Sequence, residues 1–172
     1  MNLKQKLEKY LKANLEEIKH FSVSRKARIF GSAKETAFQE DACTLTSDEI
    51  NQFIKNNKED DTFQTKLFSY IDSKDLKDSD VYNKVNIDRR LFSKIRSNRN
   101  YHPSKETVIL LGIALELTEE EIEDLLESAS YSLPKNTTFD LIIRFCFMEK
   151  IYDLNQINEF LYDHNCKTLT EE

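Results

Sequence analysis

Apolar residues recur along most of this chain at steps of three and four, the spacing of one face of an α-helix. Leu3, Leu7, Tyr10, Leu11, Leu15 and Ile18 form the first such stripe and predict an amphipathic N-terminal helix that needs a partner. From Phe21 to Leu45 the period fades, and both a loop and a short hairpin stay open. Thr46-Ser47-Asp48-Glu49 then spells a capping box ahead of Ile50, Phe53 and Ile54, which predicts a short helix. The polar run from Asn56 to Asp61 is the candidate linker.

Beyond the linker, Thr62 should cap a helix carrying Phe63, Leu67, Phe68 and Ile71. Ser104 and Thr118 look like two further N-caps, the second with Glu121 at capping-box spacing and acids in the first turn, where they favour the helix dipole. Between them, Lys105 to Leu117 predicts a helix with almost no polar side, because Val108, Ile109, Leu110, Leu111, Ile113, Ala114 and Leu115 surround its axis. A helix that is apolar all round must be buried on more than one face. Phe139, Leu141, Ile142, Ile143, Phe145, Phe147, Met148 and Ile151 predict another nearly continuous apolar helix, followed by one with Leu154, Ile157, Phe160 and Leu161. These two read as a helical hairpin, set off by Pro134 and packed on the preceding core. Leu110, Ile113, Phe145 and Phe160 are then candidates for an interface, a homodimer contact included, although the N-terminal segment could cover the same apolar surface. The expected organisation is all-α, with an N-terminal helical segment and linker over 1–61, a core domain over 62–130 and a C-terminal hairpin over 131–172.

The most informative stretch is Leu76 to Ser97, LKDSDVYNKVNIDRRLFSKIRS, which predicts two short helices joined by a tight turn. Leu76, Val81, Val85, Ile87, Phe92 and Ile95 are spaced to point inward, while Arg89, Arg90, Ser93, Lys94 and Ser97 recur on the outer face of the second helix. A helix presenting Arg, Ser and Lys suits the major groove of duplex DNA. These residues resemble the lambda-repressor-like helix-turn-helix domains, also called the xenobiotic-response-element family. Leu76 would open the motif, Val81 and Val85 would be the buried positions of the first helix, and Asn86-Ile87 would stand at the family's Gly-Ile turn. Asp88 would cap the recognition helix. The segment Pro103 to Leu126 looks like the family's following helix pair, so the resemblance spans roughly 62 to 130 and implies a five-helix core.

The resemblance implies that Arg89, Arg90, Ser93 and Lys94 meet base edges, with Phe92 and Ile95 anchoring their helix. Lys77, Lys84, Asn98, Arg99 and Lys105 are the expected phosphate contacts. Three positions depart from the family's pattern. Lys77-Asp78 stands where the family carries a phosphate-binding Gln, Tyr82 replaces a small Ala at the helix crossing, and Asn86 replaces the turn Gly. The last change is mild, since Asn tolerates the left-handed conformation better than most residues.

Charge refines the expectation. The net charge of −6 argues by itself against a nucleic-acid binder. Its distribution argues the other way: seven bases (Lys84, Arg89, Arg90, Lys94, Arg96, Arg99, Lys105) face Asp88 alone from Lys84 to Lys105, and eight acids with no base follow from Glu106 to Glu127. The chain thus predicts a sequence-specific duplex-DNA binder that regulates transcription. The alternative from a different class is a protein-interaction module, an adaptor or inhibitor docking through its acidic or apolar helices.

Other chemistry is thinly represented. Gly31 and Gly112 are the only glycines and cannot form a phosphate loop such as GxxxxGK or GxGxxG. His164 with Cys166 lacks the further pair a zinc site needs. No carboxylate sits in an apolar stretch with a partner suited to tuned catalysis, so neither an enzyme nor a cofactor or metal is expected. His102 reads as an ordinary loop residue. Three scattered cysteines, Cys43, Cys146 and Cys166, suit a reduced set of thiols; no apolar run reaches membrane-spanning length, and the charged N-terminus is no secretory signal. A cytoplasmic protein without a membrane partner is the expectation.

Overall fold

Side-chain caps start most of the helices, including those at Thr62, Asp88, Ser104 and Thr118. The computed structural model describes residues 2–15, 47–48, 52 and 62–169. Regular structure among them is α-helical, without a strand. After α1 (3–15) come α2 (Phe63–Ser73), α3 (Asp78–Lys84), α4 (Arg89–Ser97), α5 (Lys105–Ala114), α6 (Glu119–Ser128), α7 (Thr138–Met148) and α8 (Leu154–Asp163). The chain divides into two compact units, Met1–Lys19 with Asp61–Glu172, and His20–Asp60. All eight named helices belong to the first. The expectations for residues 21–45, for the linker 56–61 and for the cap residues Thr46 and Glu49 fall outside the described residues.

The caps obey the expected chemistry. Thr118 Oγ1 accepts from the Glu121 amide at 3.3 Å and the Glu121 carboxylate accepts from the Thr118 amide at 2.7 Å, a complete capping box. Thr62 and Ser104 each accept from the amide three residues on, at 3.3 and 3.2 Å.

Helix ends were harder to place. The apolar pattern predicts that α5 runs to Leu117 and that α7 reaches Ile151, but they stop at Ala114 and Met148. In both, a residue in the left-handed region ends the helix: Glu116 at φ 49° and Lys150 at φ 56°. The amide two positions past each C-cap then bonds back across the last turn, Leu117 to Gly112 at 3.1 Å and Ile151 to Cys146 at 2.8 Å. The same closure follows α2 at Asp75, α3 at Asn86, α6 at Ser130 and α8 at Asn165. No glycine occupies any of these six positions. The closure also corrects the reading of Leu76, which lies between two helices and is 36% exposed rather than turned inward.

The core is organised around α5. Val108 to Leu115 are all buried, so neighbours must cover every side of that helix. Its contacts run to α3 and α6, while α6 also packs on α2 and α7. Gly112 marks a close approach: a Cβ there would collide with the Ile122 side chain on α6 and lie 3.3 Å from Phe147 Cζ on α7.

The hairpin of α7 and α8 closes over this core. Tyr152 donates its hydroxyl to the Leu117 carbonyl at 2.7 Å, and Arg144 reaches back to Glu119 at 2.8 Å, to Glu123 and to the Leu133 carbonyl. Near the start of α7, Asp140 is 4% exposed and accepts from Lys105 Nζ at 2.5 Å and from the Thr137 hydroxyl at 2.6 Å. The N-terminal helix then covers the hairpin. Leu7 and Leu11 are buried, the Tyr10 and Phe145 rings lie 5.6 Å apart, and Lys4 and Lys6 pair with Glu159 and Glu149 at 2.7 Å each. The pairs are largely solvated and contribute little beside the apolar contact.

Leu110, Ile113, Phe145 and Phe160 therefore face their own chain. Each is 9% exposed or less, which leaves no surface for the interface expected of them. All four belong to the one buried cluster, and Phe145 meets Tyr10 of α1. No helix among the described residues is long and apolar enough to cross a membrane.

Two stability measurements test these assignments. Asp140→Ala leaves Lys105 without its carboxylate and should lower stability by about 3 kcal/mol in urea denaturation. Lys150→Gly relieves a left-handed residue and should raise stability by about 0.5 to 1 kcal/mol in the same assay, whereas a β-branched residue there should lower it.

Candidate nucleic-acid interface

α3 and α4 meet through the turn Val85–Asp88, and three local interactions fix it. Asn86 takes φ 56°, which lets the Ile87 amide bond to the Tyr82 carbonyl at 2.9 Å. Ile87 is thereby buried, between Val85 and the start of α4. Asp88 then accepts from the Arg90 amide at 2.5 Å and begins α4, as expected of a cap. Tyr82 stands where a small residue was anticipated. Its ring is half-buried and packs against Phe92 at 5.6 Å, tilted by 53°.

Phe92 and Ile95 anchor α4 in the core, and Phe92 also meets the Phe68 ring edge-on at 6.1 Å. Arg89, Arg90, Ser93, Lys94 and Ser97 are all exposed. Helical spacing puts them on the face opposite those anchors. The C-terminal end of α4 is built differently from the other helices of this region. Asn98 is extended rather than followed by a left-handed residue, and the Gln64 side chain from α2 donates to the Ile95 carbonyl at 3.0 Å and to the Arg96 carbonyl. A tertiary contact thus satisfies carbonyls that a Schellman closure would otherwise serve.

The cations around α4 fall into two groups. Lys84 pairs with Glu116 at 2.5 Å, Lys105 with the buried Asp140, and Arg96 with Asp78 at 2.6 Å. The first of these pairs holds the Glu116 carboxyl below its usual range, chiefly through the hydrogen bond from Lys84. Arg89, Arg90 and Arg99 make no ion pair among the described residues, and Lys94 lies over the Tyr101 ring, 4.9 Å from its centroid. Of the expected phosphate contacts, Lys77, Asn98 and Arg99 are exposed, whereas Lys84 and Lys105 are committed to carboxylates. The reason for the difference is positional. Lys105 begins a helix whose next turns are buried, so its ammonium reaches the nearest acid of α7.

Comparison of the chain with protein-family models, with curated proteins and with solved structures finds no match. The site therefore rests on its own geometry.

Several contributors had no visible signal in the sequence. Gln64, Phe68 and Asp78 all act on α4 from other helices, and nothing in their spacing announces it. Tyr101, in the loop just after α4, supports Lys94 with its ring. His102, read as a loop residue, is exposed, with its ring 5.1 Å from that of Tyr131.

The cap gives a direct test of how α4 is held. Asp88→Ala should lower stability by about 1 kcal/mol, and Asp88→Ser should restore most of it, measured by thermal or urea denaturation.

Proposed function

We propose that the exposed face of α4 reads duplex DNA, with α3 and α4 acting as a helix-turn-helix of the lambda-repressor-like kind. The observation that carries this reading is the sorting of cations. Lys84, Arg96 and Lys105 are paired with acids, while Arg89, Arg90 and Arg99 make no ion pair among the described residues and Lys94 is carried on Tyr101, around one exposed helix face. A helix with planar guanidinium groups in its first turn can place them bidentately on guanine edges in the major groove. Ser93 and Lys94 lie one turn further on. Lys77, Asn98 and Arg99 flank that face and suit phosphates, which position the protein without reading sequence. Regulation of transcription is the role that sequence-specific binding would serve.

The protein-interaction reading draws support from a different observation. Lys84 and Lys105, both expected on phosphates, are tied to acids of this chain, which shrinks the electrostatic footprint. Salt dependence separates the two: a DNA reader binds random duplex or heparin at low salt and loses affinity steeply as salt rises, whereas an acidic adaptor scarcely binds either.

Selection of bound duplexes from a random pool, followed by titration of variants, tests the reading. Arg89→Ala should relax preference at one base pair by about 1 to 3 kcal/mol. Arg99→Ala should instead weaken all sequences alike and flatten the salt slope by about one. Equal binding by the wild type and an Arg89/Arg90/Lys94 triple alanine variant would overturn it.

A further inference from the structure

The second cation cluster of α4 points to a function for an acid that otherwise looks misplaced. Asp78, the first residue of α3, holds Arg96 Nη2 at 2.6 Å, and the Arg96 guanidinium also lies over the Phe68 ring, 4.3 Å from its centroid. Gln64 fixes the backbone of the same turn through the Ile95 and Arg96 carbonyls. Arg96 is three residues from Ser93 and seven from Arg89, so it sits on the flank of the exposed row, adjoining it along the helix. More than half of its side chain is in solvent, at 54% exposure. Released from Asp78, this long cation could reach a backbone phosphate beside the groove that α4 enters. Held, it is neutralised and turned along the protein surface.

We infer that Asp78 is a specificity-determining residue that withholds Arg96 from the phosphate backbone. The inference rests on the duplex-binding reading and deepens it. Each phosphate contact strengthens binding to every sequence, so it raises non-specific affinity as much as specific affinity. A chain with few available cations around its reading helix depends more on base-edge contacts. Non-specific sites compete in large excess in a genome, and contact with them is what a site-specific binder has to limit. The clamp on Arg96 sets that limit through charge, and it positions the last turn of α4 through Phe68 and Gln64.

The test uses the full chain, a short duplex of random sequence, and a series of salt concentrations. Asp78→Asn should bind the random duplex about three- to tenfold more tightly at low salt, with the slope of log affinity against log salt steeper by about one. Arg96→Gln should leave random-duplex binding within about twofold of wild type, since the clamped cation makes no phosphate contact. The double variant Asp78→Asn/Arg96→Gln should return to the wild-type curve. An Asp78 of merely structural importance would give the opposite result, a lower melting temperature with weaker binding and no change in salt slope. The inference is overturned if Asp78→Asn binds no more tightly than wild type, if the double variant keeps the gain, or if Arg96→Gln alone costs several-fold. Failure of every protein, wild type included, to bind the duplex at low salt overturns the duplex-binding reading along with it.

Discussion

The helix with no polar side is the constraint on which the rest of the first unit depends. From Val108 to Leu115 every residue of α5 and its C-cap is buried, so no arrangement that leaves one face of that helix in water is stable. α3 and α6 take two sides. The hairpin of α7 and α8 closes over the core and brings its own apolar surplus, which α1 then covers. This sequence of coverings explains why Lys105 lies where it does. The first turn of a buried helix can keep a cation only if an acid meets it, and Asp140 is that acid.

A second constraint acts at the helix ends. The chain must turn sharply after six of its helices, and it does so with Asp, Asn, Glu, Ser, Lys and Asn rather than glycine. Each of these residues tolerates the left-handed region at some cost, and each turn is closed by an amide bonded back into the last turn. Among α2 to α8, α4 is the exception. Its last carbonyls are served by Gln64, so its geometry depends on α2 as well as on its own residues. The exposed helix face is therefore held from below by Phe92 and Ile95, at its start by Asp88, and at its end from a different helix.

Much of this was legible in advance, and the pattern of success has a physical reason. Caps act over two or three residues, so Thr62, Ser104 and Thr118 could be recognised from short strings, and Asp88, expected from the resemblance, caps its helix as they do. Burial along α2, α5 and α8 follows helical spacing and was equally readable. Helix ends were misplaced at Leu117 and Ile151 because apolar spacing continues past the stop, and Glu116 or Lys150 does not announce a left-handed turn as glycine would. Leu76 failed for a related reason: helical periodicity was applied to a residue outside any helix. Across the site, exposure of Arg89, Arg90, Ser93 and Lys94 agrees with the helical pattern, but the pairing of Lys84, Arg96 and Lys105 does not appear in it. Their partners lie 32, 18 and 35 residues away, and charge partners at such separations depend on packing.

Net charge alone is therefore a poor guide to what this molecule presents to a partner. A chain carrying −6 overall would be expected to repel a polyanion, and at distances beyond a Debye length of about 8 Å in physiological salt that repulsion is largely screened. Within that distance the local arrangement decides. Two acids, Glu116 and Asp140, draw Lys84 and Lys105 away, and Asp78 draws Arg96 along the surface. The same partition consumes acids: Glu119 and Glu123 meet Arg144, and Asp124 meets Lys66 and the Tyr70 hydroxyl, whose pKa is pushed up to about 12, mainly by burial. Internal pairing thus removes charge of both signs from the surface near α4 while leaving Arg89, Arg90 and Arg99 outside any ion pair among the described residues. What faces outward from that helix is more positive than the net charge suggests, yet less positive than the run of bases, because three of those bases, Lys84, Arg96 and Lys105, already have acidic partners.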